Sequence, residues 1–202
     1  MSAFSWEDVR RALALRPATA IADPGARRAA VALVLRETTS CLELLFIRRA
    51  EDPRDPWSGQ MGFPGGRAEP GDTALVATAM RETAEEIGLD LARAAEPLGT
   101  LDEVRAMARM RPMNLTISPF VFRLREACEL RLGSEVKGVQ WISLDGLTSP
   151  EWHSMLDYVH EGQTLQFPCL RVDGSVIWGL TYRMLAGMLA LLAEARGEQD
   201  PV

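Results

Sequence analysis

Cysteine, histidine and positive charge are all scarce in this chain, and each shortage removes a class of function. Only three of the 202 residues are cysteine: Cys41, Cys128 and Cys169. They are odd in number, widely spaced and without a Cys-x-x-Cys pair, which argues against a disulfide framework or a zinc cluster and fits reduced side chains in a cytoplasmic protein. The two histidines, His153 and His160, have no partner at metal-ligand spacing and read as surface or packing residues. Lysine and arginine number 22 against 28 acids, a net charge of -6. That balance excludes a broad nucleic-acid or anionic-membrane surface, so neither partner is expected. Long apolar runs are missing too: Met184 to Ala193 covers about ten residues, half of what crosses a bilayer. Met1 to Arg16 carries Trp6, Glu7, Asp8 and Arg10 where a secretory signal needs an unbroken apolar stretch, so no targeting segment is expected. With no linker-like stretch, internal repeat or low-complexity tract, residues 1-202 are expected to form a single domain.

The remaining pattern interleaves helices and strands. A helix is predicted over residues 5-15, then apolar strands at 29-35 and 42-48. Further strands are expected at 96-102, 115-124, 136-142, 165-172 and 175-178, with a last helix over 181-195. This order fits the α/β class, a mixed sheet held between helices, although apolar faces alone do not single out one topology.

The most informative stretch is Arg81-Glu82-Thr83-Ala84-Glu85-Glu86-Ile87-Gly88-Leu89. Residues at i, i+3 and i+4 share a helical face, so Glu82, Glu85 and Glu86 project together while Leu75, Val76, Ala79, Thr83 and Ile87 turn mostly away. The helix is expected to start near Asp72 as N-cap and to end at Gly88. The three acids then sit in its last turns, where the macrodipole disfavours negative charge by roughly 0.3 to 1 kcal/mol each. Arg81 reaches Glu85 at i+4, in the weaker orientation for such a pair, and cannot neutralise all three. Oxygen-only ligands with no nearby histidine suit Mg2+ or Mn2+ rather than zinc.

Just before this helix lies Gly59-Gln60-Met61-Gly62-Phe63-Pro64-Gly65-Gly66-Arg67. Pro64 pushes Phe63 into extended geometry, and the two glycines allow the backbone close against a ligand. Joined to Arg-Glu-x-x-Glu-Glu-x-Gly, the run resembles the Nudix box, the signature of hydrolases acting on nucleoside diphosphates linked to another group. The usual box places a glutamate after five residues and Arg-Glu after seven more. Here five residues separate Gly66 from Asp72 and eight separate Asp72 from Arg81, so the first acid is shortened and displaced by one position. Thr83 replaces the usual aliphatic residue. The longer spacing and Gly-x-x-x-Phe-Pro-Gly-Gly resemble the coenzyme A pyrophosphatase branch, although Leu44, Leu45, Arg48 and Arg54 fit its upstream pattern only loosely.

The resemblance implies a Nudix-type α/β/α sandwich with a mixed β-sheet and a Mg2+- or Mn2+-dependent pyrophosphohydrolase. Its metal ligands would be Glu82, Glu85 and Glu86 with the Gly65 or Gly66 carbonyl, oriented by Arg81. The substrate implied is coenzyme A or an acyl derivative. A nucleoside diphosphate sugar, ADP-ribose or a modified nucleoside triphosphate stays open, as does a non-catalytic nucleotide-binding regulator. A homodimer is a further family expectation. For the general base, a box glutamate, Glu135 ahead of Val136, and Glu103 all remain candidates. Arg48, Arg67 and the basic segment Arg105, Arg109 and Arg111 are candidate phosphate contacts, because a guanidinium matches phosphate through forked hydrogen bonds. Trp57, ahead of the glycine loop, is either a base-stacking residue or a core cap.

Overall fold

Strand β1 (Arg27–Glu37) reads Ala29-Ala30-Val31-Ala32-Leu33-Val34-Leu35 without a polar interruption, and all seven side chains are buried. A strand this apolar needs cover on both faces, which is the setting of parallel pairing. In the computed structural model, which describes residues 3-53, 55, 57-108 and 111-198, β1 pairs in parallel with β7 (Arg111–Leu124), from Arg27 opposite Leu115 to Leu35 opposite Arg123. Every other strand pair among the described residues is antiparallel. Alternation along β1 divides the interior in two. Val31, Leu33 and Leu35 pack with helices α1 (Trp6–Ala14) and α5 (Gly179–Arg196). Ala30, Ala32 and Val34 pack with α2 (Leu75–Ile87) and the short α3 (Leu91–Ala94). The result is an α/β/α arrangement around a mixed sheet.

The edge of β1 changes partner along its length, and this positions the site. Leu35 to Glu37 pair with β2 (Leu42–Arg49), whereas Ala29 to Val31 pair with β4 (Gly65–Arg67). The far half of β2 takes β3 (Met61–Gly62) in place of β1, while β8 (Val136–Ser143) runs along the other edge of β2 from Glu43 to Arg49. Across the sheet, β7 likewise pairs with β5 (Ala95–Thr100) at one end and β6 (Val104–Ala108) at the other. The described residues thus make an eight-stranded sheet. After α4 (Leu144–Leu147), a three-stranded sheet follows, β9 (His153–His160), β10 (Gln163–Val172) and β11 (Ser175–Trp178), in the order β11-β10-β9. Among the described residues no helix is long and apolar enough to cross a membrane.

Several expectations are corrected here. Asp72 is not the cap of α2: the N-cap is Ala74, whose side chain offers no hydrogen bond. The basic segment at 105-111, which no expected strand covers, is mostly strand among its described residues, because β6 folds back on β7 through Arg105 opposite Thr116 and Met107 opposite Pro112. Strand β9 was not expected, since His153 to His160 is nowhere fully buried and so lacks a clear apolar signature. Thr83, in the place of the usual aliphatic residue, is wholly buried, its hydroxyl donating to the Ala79 carbonyl at 2.7 Å.

Candidate active site

The three glutamates of α2 share a face but not an environment. Glu85 keeps 59% of its side chain exposed and Glu82 keeps 19%, whereas Glu86 as a residue is only 5% exposed. Glu86 stands where the acidic face meets the core, one residue before buried Ile87. Its Oε2 accepts the Gly65 amide at 2.9 Å, and its Oε1 lies 3.6 Å from Arg49 Nη1. Burial pushes its carboxyl up to about 7, against the pull of the Gly65 N–H and Arg49 and with a further push from Glu82 and Glu135. Glu82 is also raised, by burial first, with Arg81 opposing.

The glycine pair explains how a carboxylate comes to lie under the backbone. Gly65 has φ 153, and a Cβ there would sit 2.3 Å from the Ala30 carbonyl of β1. At Gly66 a Cβ would fall 2.4 Å from the Glu82 carboxylate. The first glycine lets β4 pair with β1; the second lets the loop close over Glu82.

Arg81 ties loop to helix. Asp72 accepts its Nε and Nη2, each at 3.1 Å, and also takes the Thr78 hydroxyl at 2.8 Å and the Glu69 amide at 2.9 Å. Arg81, first among these, holds the Asp72 carboxyl well below the usual carboxylate range, while Asp72 in turn keeps the guanidinium charged. The same guanidinium donates to the Arg67 carbonyl at 3.0 Å and lies 3.0 Å from Glu82 and 3.3 Å from Glu85. The displaced first acid of the box therefore reaches across the loop to Arg81 instead of capping the helix.

These groups face a cleft of about 750 Å3 with two unlike walls. One wall is ionic: Arg49, Asp55, Glu82, Glu85, Glu86 and Glu135. The other is apolar: Trp57, Phe63, Leu115, Ile117, Leu180 and Met184. Gly65 and Gly66 lie between them.

Of the residues singled out from sequence, Gly66, Arg67, Arg81, Glu82, Glu85, Glu86 and Glu135 come together on this cleft. Arg48, Arg105 and Arg111 do not. Arg48 donates to Ser175 Oγ at 3.0 Å, Arg105 pairs with Asp23 at 2.7 Å, and Arg111 is an exposed residue 3.9 Å from Glu161. Arg109 lies outside the described residues. Glu103 is also elsewhere, bonded to Arg28, Ser118 Oγ and the Ile21 amide. Trp57 both packs on the core and borders the cleft, its indole N–H donating to the Met107 carbonyl at 3.2 Å. Arg49 and Asp55 were missed. A signal existed: Leu45 and Ile47 pack toward α2, so the alternation of β2 puts Arg49, not Arg48, on that side.

The donor set suits a hard divalent cation, because it is all carboxylate and carbonyl oxygen and includes a buried charge with incomplete local compensation. Among the described residues no three acidic, histidine or cysteine side chains converge closely enough to hold a metal as they stand. Arg81 stands between Glu82 and Glu85, and Arg49 stands against Glu86.

The NUDIX domain family model matches residues 25–161. An uncharacterized protein of Schizosaccharomyces pombe is 41% identical over 117 residues, which cover 56% of this chain and 35% of that protein. The uncharacterized Nudix hydrolase NudL of Yersinia pestis is 30% identical over 144 residues, 68% of this chain and 66% of that protein. The chain thus spans about a third of the length of the first relative and just under two thirds of the second. A crystal structure of a MutT/nudix family protein from Enterococcus faecalis aligns with 87% of this chain and 63% of that one, with a TM-score of 0.53 and 17% sequence identity, a likeness of fold alone. The matched segment holds α2, the glycine loop and Glu135, and on that match the chain belongs to the NUDIX domain family.

Proposed function

We propose that this chain is a Mg2+- or Mn2+-dependent pyrophosphohydrolase that cleaves the diphosphate of a nucleoside diphosphate derivative, with coenzyme A or an acyl-coenzyme A as leading substrate. The observation that carries this reading is the pairing, in one cleft, of a carboxylate wall that runs from exposed Glu85 to buried Glu86 with an apolar wall across the glycine loop. A diphosphate joined to an amphipathic group has parts for both. The Gly59 to Gly66 run favours the coenzyme over the other nucleotides, and the α5 residues Leu180 and Met184, beyond the matched family segment, supply apolar surface for its non-phosphate half.

Glu82, Glu85 and Glu86, with the Gly66 carbonyl, would hold the cation. A divalent ion bound there supplies neutralising charge for the diphosphate oxygens and lowers the pKa of a bound water. Arg81, fixed by Asp72 and the Arg67 carbonyl, keeps the glutamates oriented. Arg67, at the edge of the glycine turn, binds a phosphate oxygen. The Glu135 carboxylate accepts the proton of the attacking water. The water oxygen bonds to phosphorus as the P–O–P bond breaks, and each half leaves as a phosphate. From coenzyme A the products are 4'-phosphopantetheine and adenosine 3',5'-bisphosphate. Because the chain is net negative, substrate capture depends on these local charges rather than on its overall field.

The test is chromatographic turnover with Mg2+ and Mn2+ across coenzyme A, acetyl-coenzyme A, ADP-ribose, UDP-glucose, NADH and 8-oxo-dGTP. Preferential release of adenosine 3',5'-bisphosphate from the coenzymes is the expected result. Preference for a sugar or triphosphate overturns the substrate assignment, and nucleotide binding without turnover in any metal overturns catalysis in favour of a regulatory domain.

A further inference from the structure

Two arginine–aspartate units flank the glutamates of α2, and the mechanism above uses only Asp72–Arg81. The second is Asp55–Arg49. Asp55 Oδ2 accepts Arg49 Nε at 2.8 Å, and the other end of the guanidinium lies against Glu86, Nη1 to Oε1 at 3.6 Å. That contact is an ion pair but too long for a hydrogen bond. Arg49 ends β2 where its pairing with β8 slips: Arg48 is opposite Gly138, but Arg49 is opposite Val136. Such irregularities re-aim side chains at the rims of sheets. The Arg49 amide is in turn fixed by the Gln60 carbonyl at 3.0 Å, next to the glycine loop. Its side chain borders both the cleft and a second hollow formed with Glu51, Asp52, Ser134 and Glu135.

A divalent ion on Glu86 would repel the Arg49 guanidinium a few ångströms away, so the two compete for that carboxylate. A diphosphate, by contrast, offers a guanidinium forked acceptors of opposite charge. We propose that Arg49 is the resident counter-charge of Glu86, that a divalent cation displaces it, and that the displaced guanidinium, still tethered by Asp55, binds the substrate's diphosphate. The second half of this inference rests on the function proposed above; the first half does not.

The test combines Mn2+ titration of the metal-free protein, followed by electron paramagnetic resonance, with steady-state kinetics on the best substrate. Arg49→Met removes the competing charge and tightens Mn2+ binding about tenfold, equivalent to about 1.4 kcal/mol. Arg49→Lys keeps a charge without the fork, so Mn2+ binding stays within about threefold of the parent while KM rises about tenfold. In both variants kcat falls by less than KM rises. Unchanged or weaker Mn2+ binding in Arg49→Met overturns the counter-charge role, and an unchanged KM in both variants overturns the phosphate role. If Arg49→Met does not fold, Asp55→Asn takes its place: a loosened Arg49 raises KM, and an unchanged KM counts against the tether. If the parent hydrolyses none of the substrates, the function proposed above fails while the Mn2+ titration still decides the displacement.

Discussion

The two walls of the cleft are built on one sheet yet follow opposite physics. On the α2 side, charge is held where it costs free energy: Glu86 is buried, its carboxyl is displaced toward the neutral form, and a single backbone amide and the more distant Arg49 offset that cost only in part. On the α5 side, Leu115, Ile117 and Met184 border the cleft and belong to the core at the same time. The apolar wall stabilises the fold whether or not a ligand is present, whereas the ionic wall is stable only with its counter-charges in place. Substitutions on the two sides should therefore move stability in opposite directions, and the walls should divide chemistry from selectivity.

Glu86→Gln gives the largest effect on this comparison. Turnover should fall about 1,000-fold, as several kcal/mol of metal-assisted stabilisation are lost, while removal of a buried charge stabilises the metal-free protein by about 1 kcal/mol. Kinetics and calorimetry in chelator at pH 8 check both signs; a loss of stability with activity retained would break the comparison. The glycine pair separates fold from site next. In Gly65→Ala the new Cβ meets the Ala30 backbone at a φ of 153, so a stability loss of about 3 kcal/mol is expected. In Gly66→Ala the clash is with the movable Glu82 carboxylate, so stability drops by about 1 kcal/mol but turnover by about 100-fold. Equal stability losses in the two variants would contradict this division.

Smaller effects follow away from the carboxylates. Leu180→Ala trims the apolar wall, raising KM for a coenzyme-type substrate about tenfold with kcat within about twofold, as lost burial predicts. A matching fall in kcat would show that the two walls are not separable. The smallest change concerns acid stability outside the cleft. Asp102 is bonded to Arg16 at 2.8 and 2.6 Å and to the Thr19 amide at 2.7 Å, and its carboxyl is lowered to about 2, by the Arg16 hydrogen bonds first. The folded form thus holds the charged carboxylate more tightly than the unfolded chain, whose value is about 3.9. This contribution is fully present above about pH 4 and is lost as pH falls toward 2. Urea midpoints between pH 2 and 5 should lose part of that slope in Asp102→Asn, by a modest amount because the pair is solvent-screened; identical slopes would rule the contribution out.

The order of the main elements was legible in the sequence because their signals are local. The buried run of β1, the 3.6-residue period of α2 and the C-capping Gly88, with φ 68, need no distant partner to be read. What failed was orientation and pairing. Arg48 and Arg49 are equivalent by composition, and only the face that Leu45 and Ile47 turn to α2 distinguishes them. Asp72 looked like a helix cap because its link to Arg81 joins residues nine apart. Arg105 is a candidate phosphate contact by composition, and only the fold places Asp23 beside it, 82 residues away in the chain.

The sequence by itself determined which residues could carry the chemistry: three acids at helical spacing, a glycine pair before them, and an arginine at their head. Those relations lie within a few turns of one chain segment, where backbone geometry alone sets distances. Only the tertiary structure decided which of these acids is buried, which arginine faces it, and that an apolar wall from β7 and α5 stands across the cleft. Burial and charge pairing are properties of a surrounding shell, and that shell comes from segments that meet only when the sheet has closed.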